Sequence, residues 1–347
     1  MKDYRTKKVY LGIDVHKKTY AVTAICEGIT VKKASIQASP EGLVAFCNKY
    51  FPGASIESAY EAGFSGFRLH RVLVANGINN RVIHAAGLEV ASGDRVKTDK
   101  RDSLKLATQL AAGRLKGIHV PSIEREEKRA ITRMRDSLVE HRGAVANQIK
   151  SFLYYHGHNL PNEGKISSRF IKNLRLLQLE SDIRYSLDIL LDLWEYLTLK
   201  INELRVQMAL QAERDQELEK VYTSTPGIGA VSARVLANEL EDMAHFENER
   251  QLFSYTGLTP SEHSSGGHVR RGHISRQGKP IVRKMLVLGA WKAIKLDPLL
   301  KATFDRISLK AGAKKAIIAI ARRLLGHIRA CFKNKCLYRT AELVKAA

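Results

Sequence analysis

Cysteine is scarce, and its placement matters more than its number. Cys26, Cys47, Cys331 and Cys336 form no CxxC pair, which argues against a zinc ribbon or a disulfide framework and for reduced thiols. Long apolar runs are also missing: no stretch approaches membrane-spanning length, and Met1-Lys2-Asp3-Tyr4-Arg5 lacks the apolar core of a signal peptide. The expectation is a cytoplasmic protein with no membrane partner. Acidic residues are in deficit, with 35 Asp and Glu against 57 Lys and Arg and a formal net charge of +22. Such an excess favours a polyanionic partner through counterion release, and nucleic acid is the first candidate. The 347 residues suffice for two or three domains, and a 44% hydrophobic content is that of a globular chain.

The few acidic residues then become informative. Val9-Tyr10-Leu11-Gly12-Ile13-Asp14 is an apolar run ending in a carboxylate, the pattern of a buried strand with an acid at its C-terminal end. Two more apolar runs follow, Tyr20–Cys26 and Ile29–Ile36, separated by the turn pair Glu27-Gly28. Ser39-Pro40 opens a helix through Lys49, Ala54–Tyr60 is a fourth strand, Gly66–Ala75 a helix and Arg81–His84 a fifth strand. The order β-β-β-α-β-α-β-α is the layout of an RNase H-like fold over residues 1–118. In that layout Glu61 ends the strand beside the first. Asp99 and Asp102, three residues apart at the start of the helix Leu104–Leu110, share one face. Four such carboxylates can hold two divalent ions about 4 Å apart, and all-oxygen ligation suits Mg²⁺ or Mn²⁺. Taken singly, each has a plainer account: Asp14 and Glu61 as turn residues, Asp99 as a loop charge, Asp102 as a helix cap. Lys97, Lys100 and Arg101 beside the last pair would contact phosphate or form a solvated basic face.

Residues 119–220 read as long helices. Ile131, Met134, Leu138, Val145 and Phe152 mark one apolar stripe. Ile183, Leu187, Leu190, Trp194, Leu197, Ile201, Leu204 and Met208 follow 4-3 spacing, a coiled-coil signature. The two stripes either pair within one chain or bring chains together, and a long exposed seam favours a homo-oligomer. Residues 221–310 are expected to be mainly helical. The stretch Thr223–Ala233, with Pro226-Gly227-Ile228-Gly229 at its centre, resembles the hairpin of a helix-hairpin-helix motif, in which Gly227 and Gly229 let backbone approach a phosphate. The loop Tyr255–Lys279 is rich in glycine, serine and cationic residues. Arg270, Arg271, Arg276 and Lys279 could counter phosphate charge there, and a serine could serve as nucleophile. Residues 311–347 read as a basic, partly helical tail that offers another phosphate-contacting surface.

Three groups of residues in the N-terminal third resemble the insertion-sequence family 110 transposases, the DEDD recombinases that include the Piv-type DNA invertases. They are Leu11-Gly12-Ile13-Asp14-Val15-His16-Lys17, Glu61-Ala62-Gly63 and Lys97-Thr98-Asp99-Lys100-Arg101-Asp102. In the C-terminal half Pro226-Gly227-Ile228-Gly229, Gly257-Leu258-Thr259-Pro260 and Ser264-Ser265-Gly266-Gly267 continue the match in the family's order. The resemblance implies a RuvC-like domain whose metal tetrad is Asp14, Glu61, Asp99 and Asp102. It implies a transposase domain whose serine, Ser265 by position and Ser264 as runner-up, becomes covalently joined to DNA. It further implies element-end and target DNA as substrates, a noncoding guide RNA, and a dimer or tetramer. Ser103 and Arg276 stand where the family commonly has alanine and lysine. The rival expectations are a RuvC-like nuclease that cuts branched DNA with water, and a nucleic-acid-binding scaffold without chemistry.

Overall fold

A computed structural model describes residues 3–89, 98–158, 166–262 and 271–339. The chain forms two compact units, residues 1–121 and 122–347.

The first unit begins with a meander, β1 (Lys8–Val15), β2 (Thr19–Cys26) and β3 (Ile29–Gln37), all antiparallel. Glu27 and Gly28 both adopt positive φ at the β2–β3 turn, the conformation that lets a two-residue hairpin follow the strands' twist. Helix α1 (Pro40–Tyr50) starts from Ser39, whose hydroxyl accepts from the Gly42 amide at 3.0 Å. It leads to β4 (Ser55–Glu61), which runs parallel to β1, and α2 (Arg68–Ala75) leads to β5 (Asn79–Ile83), parallel to β4. The sheet order is β3-β2-β1-β4-β5, as the RNase H-like reading requires, and α3 (Asp99–Ala111) follows.

Alternation along β1 sorts its side chains. Val9, Leu11 and Ile13 are fully buried in one core with Leu43, Phe46, Leu69 and Leu73 of α1 and α2. The opposite face receives α3, whose Leu106 and Leu110 pack with Ala59 and Ile83. Gly12 is what lets α3 approach: a β-carbon there would lie 2.0 Å from the Ser103 carbonyl oxygen and 2.4 Å from the Ala107 amide nitrogen. A buried hydrogen bond of 2.9 Å between the Thr23 and Ser103 hydroxyls ties the same turn of α3 to β2.

The second unit comprises α4 (Ile123–Tyr155), α5 (Ser168–Arg175), α6 (Ser181–Arg214), α7 (Gln216–Ser224), α8 (Ala230–Leu240) and α9 (Glu249–Thr256). A small hairpin of β6 (Pro260–Glu262) and β7 (Arg271–Ile274) comes next, then α10 (Pro280–Leu296), α11 (Pro298–Ala311) and α12 (Ala313–Lys333). The N-terminal half of the anticipated 4-3 seam of α6 is spent within the chain, because Leu187, Trp194 and Leu197 pack against Val145, Ile149 and Leu153 of α4; Leu191, outside the expected spacing, is fully buried with them, and the expected Leu190 only partly. The α4 stripe differs from expectation: Met134 is exposed, whereas Lys128, Arg129 and Thr132 are buried. The reason is ionic. Lys128 Nζ reaches Asp215 Oδ1 at 3.0 Å, Arg129 donates to the carbonyls of Asn238 and Glu239, and Arg133 grips the fully buried Glu239 carboxylate through two bonds of 2.6 and 2.9 Å. The stretch expected as a basic tail contains α12, whose Ile317, Ile320, Leu324, Leu325 and Ile328 belong to the core of this unit. Among the described residues no helix is long and apolar enough to cross a membrane.

Gly12→Ala should cost the first unit about 3 kcal/mol or more, since the added methyl meets backbone that cannot rotate away. Urea unfolding of the full chain measures this, and a loss under about 0.5 kcal/mol would show that α3 does not depend on the gap.

Candidate functional site

The α3-facing side of β1 ends in Asp14. In the parallel ladder Ile13 lies beside Tyr60, so the next step of the register brings Asp14 beside Glu61, and alternation turns both toward α3. Across from them α3 begins at Asp99, with Thr98 as its N-cap. Asp99 and Asp102 occupy its first turn, at the positive end of the helix dipole. Three segments far apart in sequence thus deliver their acids to one mouth of the sheet.

The closest group there includes a residue that sequence reasoning did not assign. His16 Nε2 lies 3.1 Å from Asp14 Oδ2 and 3.3 Å from Asp99 Oδ2. The ligand atoms of Asp14, His16 and Asp99 fall within 4.8 Å of one another. Asp102, half-buried one turn along α3, acts on Asp14 without joining this group, and Glu61 is exposed at the end of β4 outside it. The signal for His16 was present: it stands two residues after Asp14 at the strand end, the spacing that returns a side chain to the same face. Its amide donates to the Thr19 carbonyl at 3.0 Å, which extends the β1–β2 pairing past Val15.

Asp14 is half-buried, and burial is the main cause that raises its pKa above the ordinary carboxylate value. The imidazole of His16 pulls it back, while the charges of Asp102 and Asp99 push it higher. At Asp14 burial and the neighbouring acids outweigh the imidazole that favours its charged form. Carboxylate oxygens in this number, with one imidazole nitrogen, fit a divalent cation that would relieve both the burial cost and the mutual repulsion.

Two family models match the chain, the first running past the unit boundary at residue 121 through α4. The DEDD transposase model of the IS110 group matches residues 11–156, and the Transposase IS116/IS110/IS902 family model matches residues 219–305. The y4rJ protein of Sinorhizobium fredii is 30% identical over 310 residues, covering 80% of this chain and 76% of its own. The chain belongs to this transposase family. The transposase for insertion sequence element IS1533 of Leptospira borgpetersenii is 25% identical over 94% of this chain and 96% of its own. That of IS1111A from Coxiella burnetii is 25% identical over 70% and 68%. The protein is therefore a DNA transposase, and its DEDD domain is of a class that works with divalent metal.

The remaining sequence candidates of the transposase lie in different settings. Lys97, Ser264, Ser265 and Arg270 fall outside the described residues, and for Lys100 and Arg271 the backbone alone is described, in α3 and β7. Arg101 is exposed on α3, and Arg276 is exposed at a positive φ of 56°. Lys279, the N-cap of α10, is half-buried, and burial lowers its pKa despite the nearby Glu239. Gly227 serves protein packing: at φ 81° its missing β-carbon leaves room for the Gly289 carbonyl oxygen of α10, 2.2 Å from where that carbon would stand. Gly229, the N-cap of α8, faces open space.

The β6–β7 hairpin that flanks residues 263–270 is firmly based. The Ser275 amide donates to the Thr259 carbonyl at 2.7 Å, that of Lys279 to Tyr255 at 3.1 Å, and Arg283 Nη1 donates to Thr256 at 2.9 Å. A β-carbon at Gly278 would sit 2.2 Å from the Tyr255 carbonyl oxygen, so this glycine closes the base of the hairpin onto the end of α9.

An acid whose pKa is higher folded than unfolded costs stability when ionised. The cost is complete above the folded pKa and fades as pH falls through it toward the unfolded value. Asp14→Asn should therefore raise the melting temperature of the metal-free transposase at pH 7, and the gain should shrink as pH approaches about 4. Thermal scans in chelator across pH measure it; a lower melting temperature at pH 7 would contradict the burial argument.

Proposed function

We propose that this transposase cleaves and exchanges DNA strands at the ends of its insertion sequence and at its target through a composite of metal and serine chemistry. Asp14, Glu61, Asp99 and Asp102 hold Mg²⁺ or Mn²⁺, and Ser265, with Ser264 as the alternative, is the nucleophile. The observation that carries this is the convergence of Asp14 from β1 with Asp99 and Asp102 from the first turn of α3, at the end of the sheet where Glu61 also finishes its strand. When bound, the cation would polarise the phosphoryl oxygens and offset charge developing at the reacting phosphate. The serine hydroxyl attacks phosphorus, expels one ester oxygen as a strand hydroxyl and leaves a phosphoserine link. Attack by another strand's hydroxyl reverses the step and reseals DNA without an external energy source. A noncoding RNA encoded by the element would choose the sites by base pairing, with the positive charge of the chain holding both nucleic acids.

Cells carrying the transposase and its flanking DNA, lysed in detergent, should yield DNA covalently joined to protein. Ser265→Ala and Asp14→Ala should each reduce the adduct and recombination at least about a hundredfold. Cleaved DNA without an adduct would replace the serine by water as nucleophile and make the protein a metal-dependent nuclease.

The homo-oligomer expected from the coiled-coil pattern needs another surface, because the N-terminal half of the 4-3 seam of α6 is already covered by α4. Tyr185, Ile189, Tyr196, Leu199, Val206 and Leu210 form an exposed apolar stripe on α6 at similar spacing, and self-association would use it. Ile189→Asp with Leu199→Asp should shift the full chain toward monomer by light scattering. An unchanged mass would place the contact elsewhere.

A further inference from the structure

The geometry points to His16 as a ligand of the bound cation through Nε2, and so to a site that prefers Mn²⁺ to Mg²⁺. This inference rests on the metal reading above and adds to it a nitrogen ligand and a metal preference. Two carboxylate oxygens converge on the same ring nitrogen, at 3.1 Å from Asp14 and 3.3 Å from Asp99. An imidazole nitrogen bears one hydrogen or one lone pair, never two of either. It therefore cannot donate a well-aligned bond to both carboxylates at once. Three donors gathered around one cation have no such conflict, because each directs a lone pair to the shared centre. Adjacent ligands of an octahedral ion with bonds of about 2.1 Å are about 3 Å apart, close to the two separations found here.

The placement favours a ligand over a chance neighbour. The His16 backbone is held by the hydrogen bond to Thr19, so the ring is set by the strand pairing and not by a wandering loop. Its side chain is 43% exposed, next to an Asp14 side chain of 23% and an Asp99 side chain of 64%. The nitrogen thus stands at the lip of the site, between the strand-borne and helix-borne acids.

Donor identity then sets metal preference. Mg²⁺ favours oxygen and sheds water reluctantly, whereas first-row divalent ions gain more from an imidazole nitrogen. With carboxylates supplying the other ligands, Mn²⁺ retains the oxygen chemistry while accepting His16.

The test is electron spin-echo modulation on the full-length transposase loaded with Mn²⁺ after chelator treatment, compared with His16→Asp and Asp14→Asn. Wild type should bind Mn²⁺ and show ¹⁴N modulation from a directly bound imidazole. His16→Asp should keep binding, lose that modulation and lower the ratio of Mn²⁺ to Mg²⁺ affinity by about tenfold or more. Mn²⁺ binding that is lost in Asp14→Asn but shows no ¹⁴N modulation in wild type would overturn the His16 assignment and leave the carboxylate site standing. Modulation that persists in His16→Asp would also overturn it. If wild type bound no Mn²⁺, both this inference and the metal reading beneath it would fall.

Discussion

The contact on which the N-terminal unit depends is the approach of α3 to β1 over Gly12. Helix backbone meets strand backbone there with no side chain between them, so the first turn of α3 comes down near the end of β1. Any larger residue would lift the helix, and with it the carboxylates of Asp99 and Asp102, away from Asp14. The Thr23–Ser103 hydrogen bond fixes the remaining freedom, since a helix resting on a glycine could otherwise slide along the strand. An alanine at position 103 could not make this bond.

That platform accepts an electrostatic cost. Half-burying Asp14 beside two other acids disfavours its charged form. The fold meets part of the cost with the dipole at the start of α3 and with His16. Neither carries enough charge to balance the set. A site left deficient in this way draws its missing charge from solution, which makes it responsive to a cation where a fully paired cluster would be inert.

Most of the first unit was legible in sequence because its signals are local. Period-two apolar runs, the Glu27-Gly28 turn and the Ser39-Pro40 cap each specify an element without help from distant residues, and the order of elements then limits the sheet to few arrangements. Asp14, Asp99 and Asp102 were visible as strand-end and helix-start acids. His16 showed only its two-residue offset from Asp14, and its meaning depends on Asp99, which reaches it only through tertiary packing. The second unit misled for the opposite reason. Its α4 hides Lys128, Arg129 and Thr132 while showing Met134 to solvent, so hydrophobic periodicity fails wherever ion pairs with α8 and Asp215 do the packing. Gly227 illustrates the same limit: a glycine demanded by a helix behind it and a glycine cleared for a phosphate look alike in sequence.

The contrast between the acidic mouth and the rest of the transposase bears on how DNA could be held. With a formal charge of +22, the chain as a whole attracts a phosphate backbone over distances comparable to the screening length, about 8–10 Å. At the mouth Asp14, Asp99 and Asp102 carry the opposite sign, so a phosphate drawn in by the positive charge of the chain would be repelled by these three at close range. On the proposed reading the same cation that assists the reaction removes this barrier, which couples productive seating of DNA to occupancy of the metal site. Loose binding along the basic surface then needs no metal, whereas commitment of a particular phosphate does, and an enzyme that cuts chromosomes gains selectivity from keeping those two events apart.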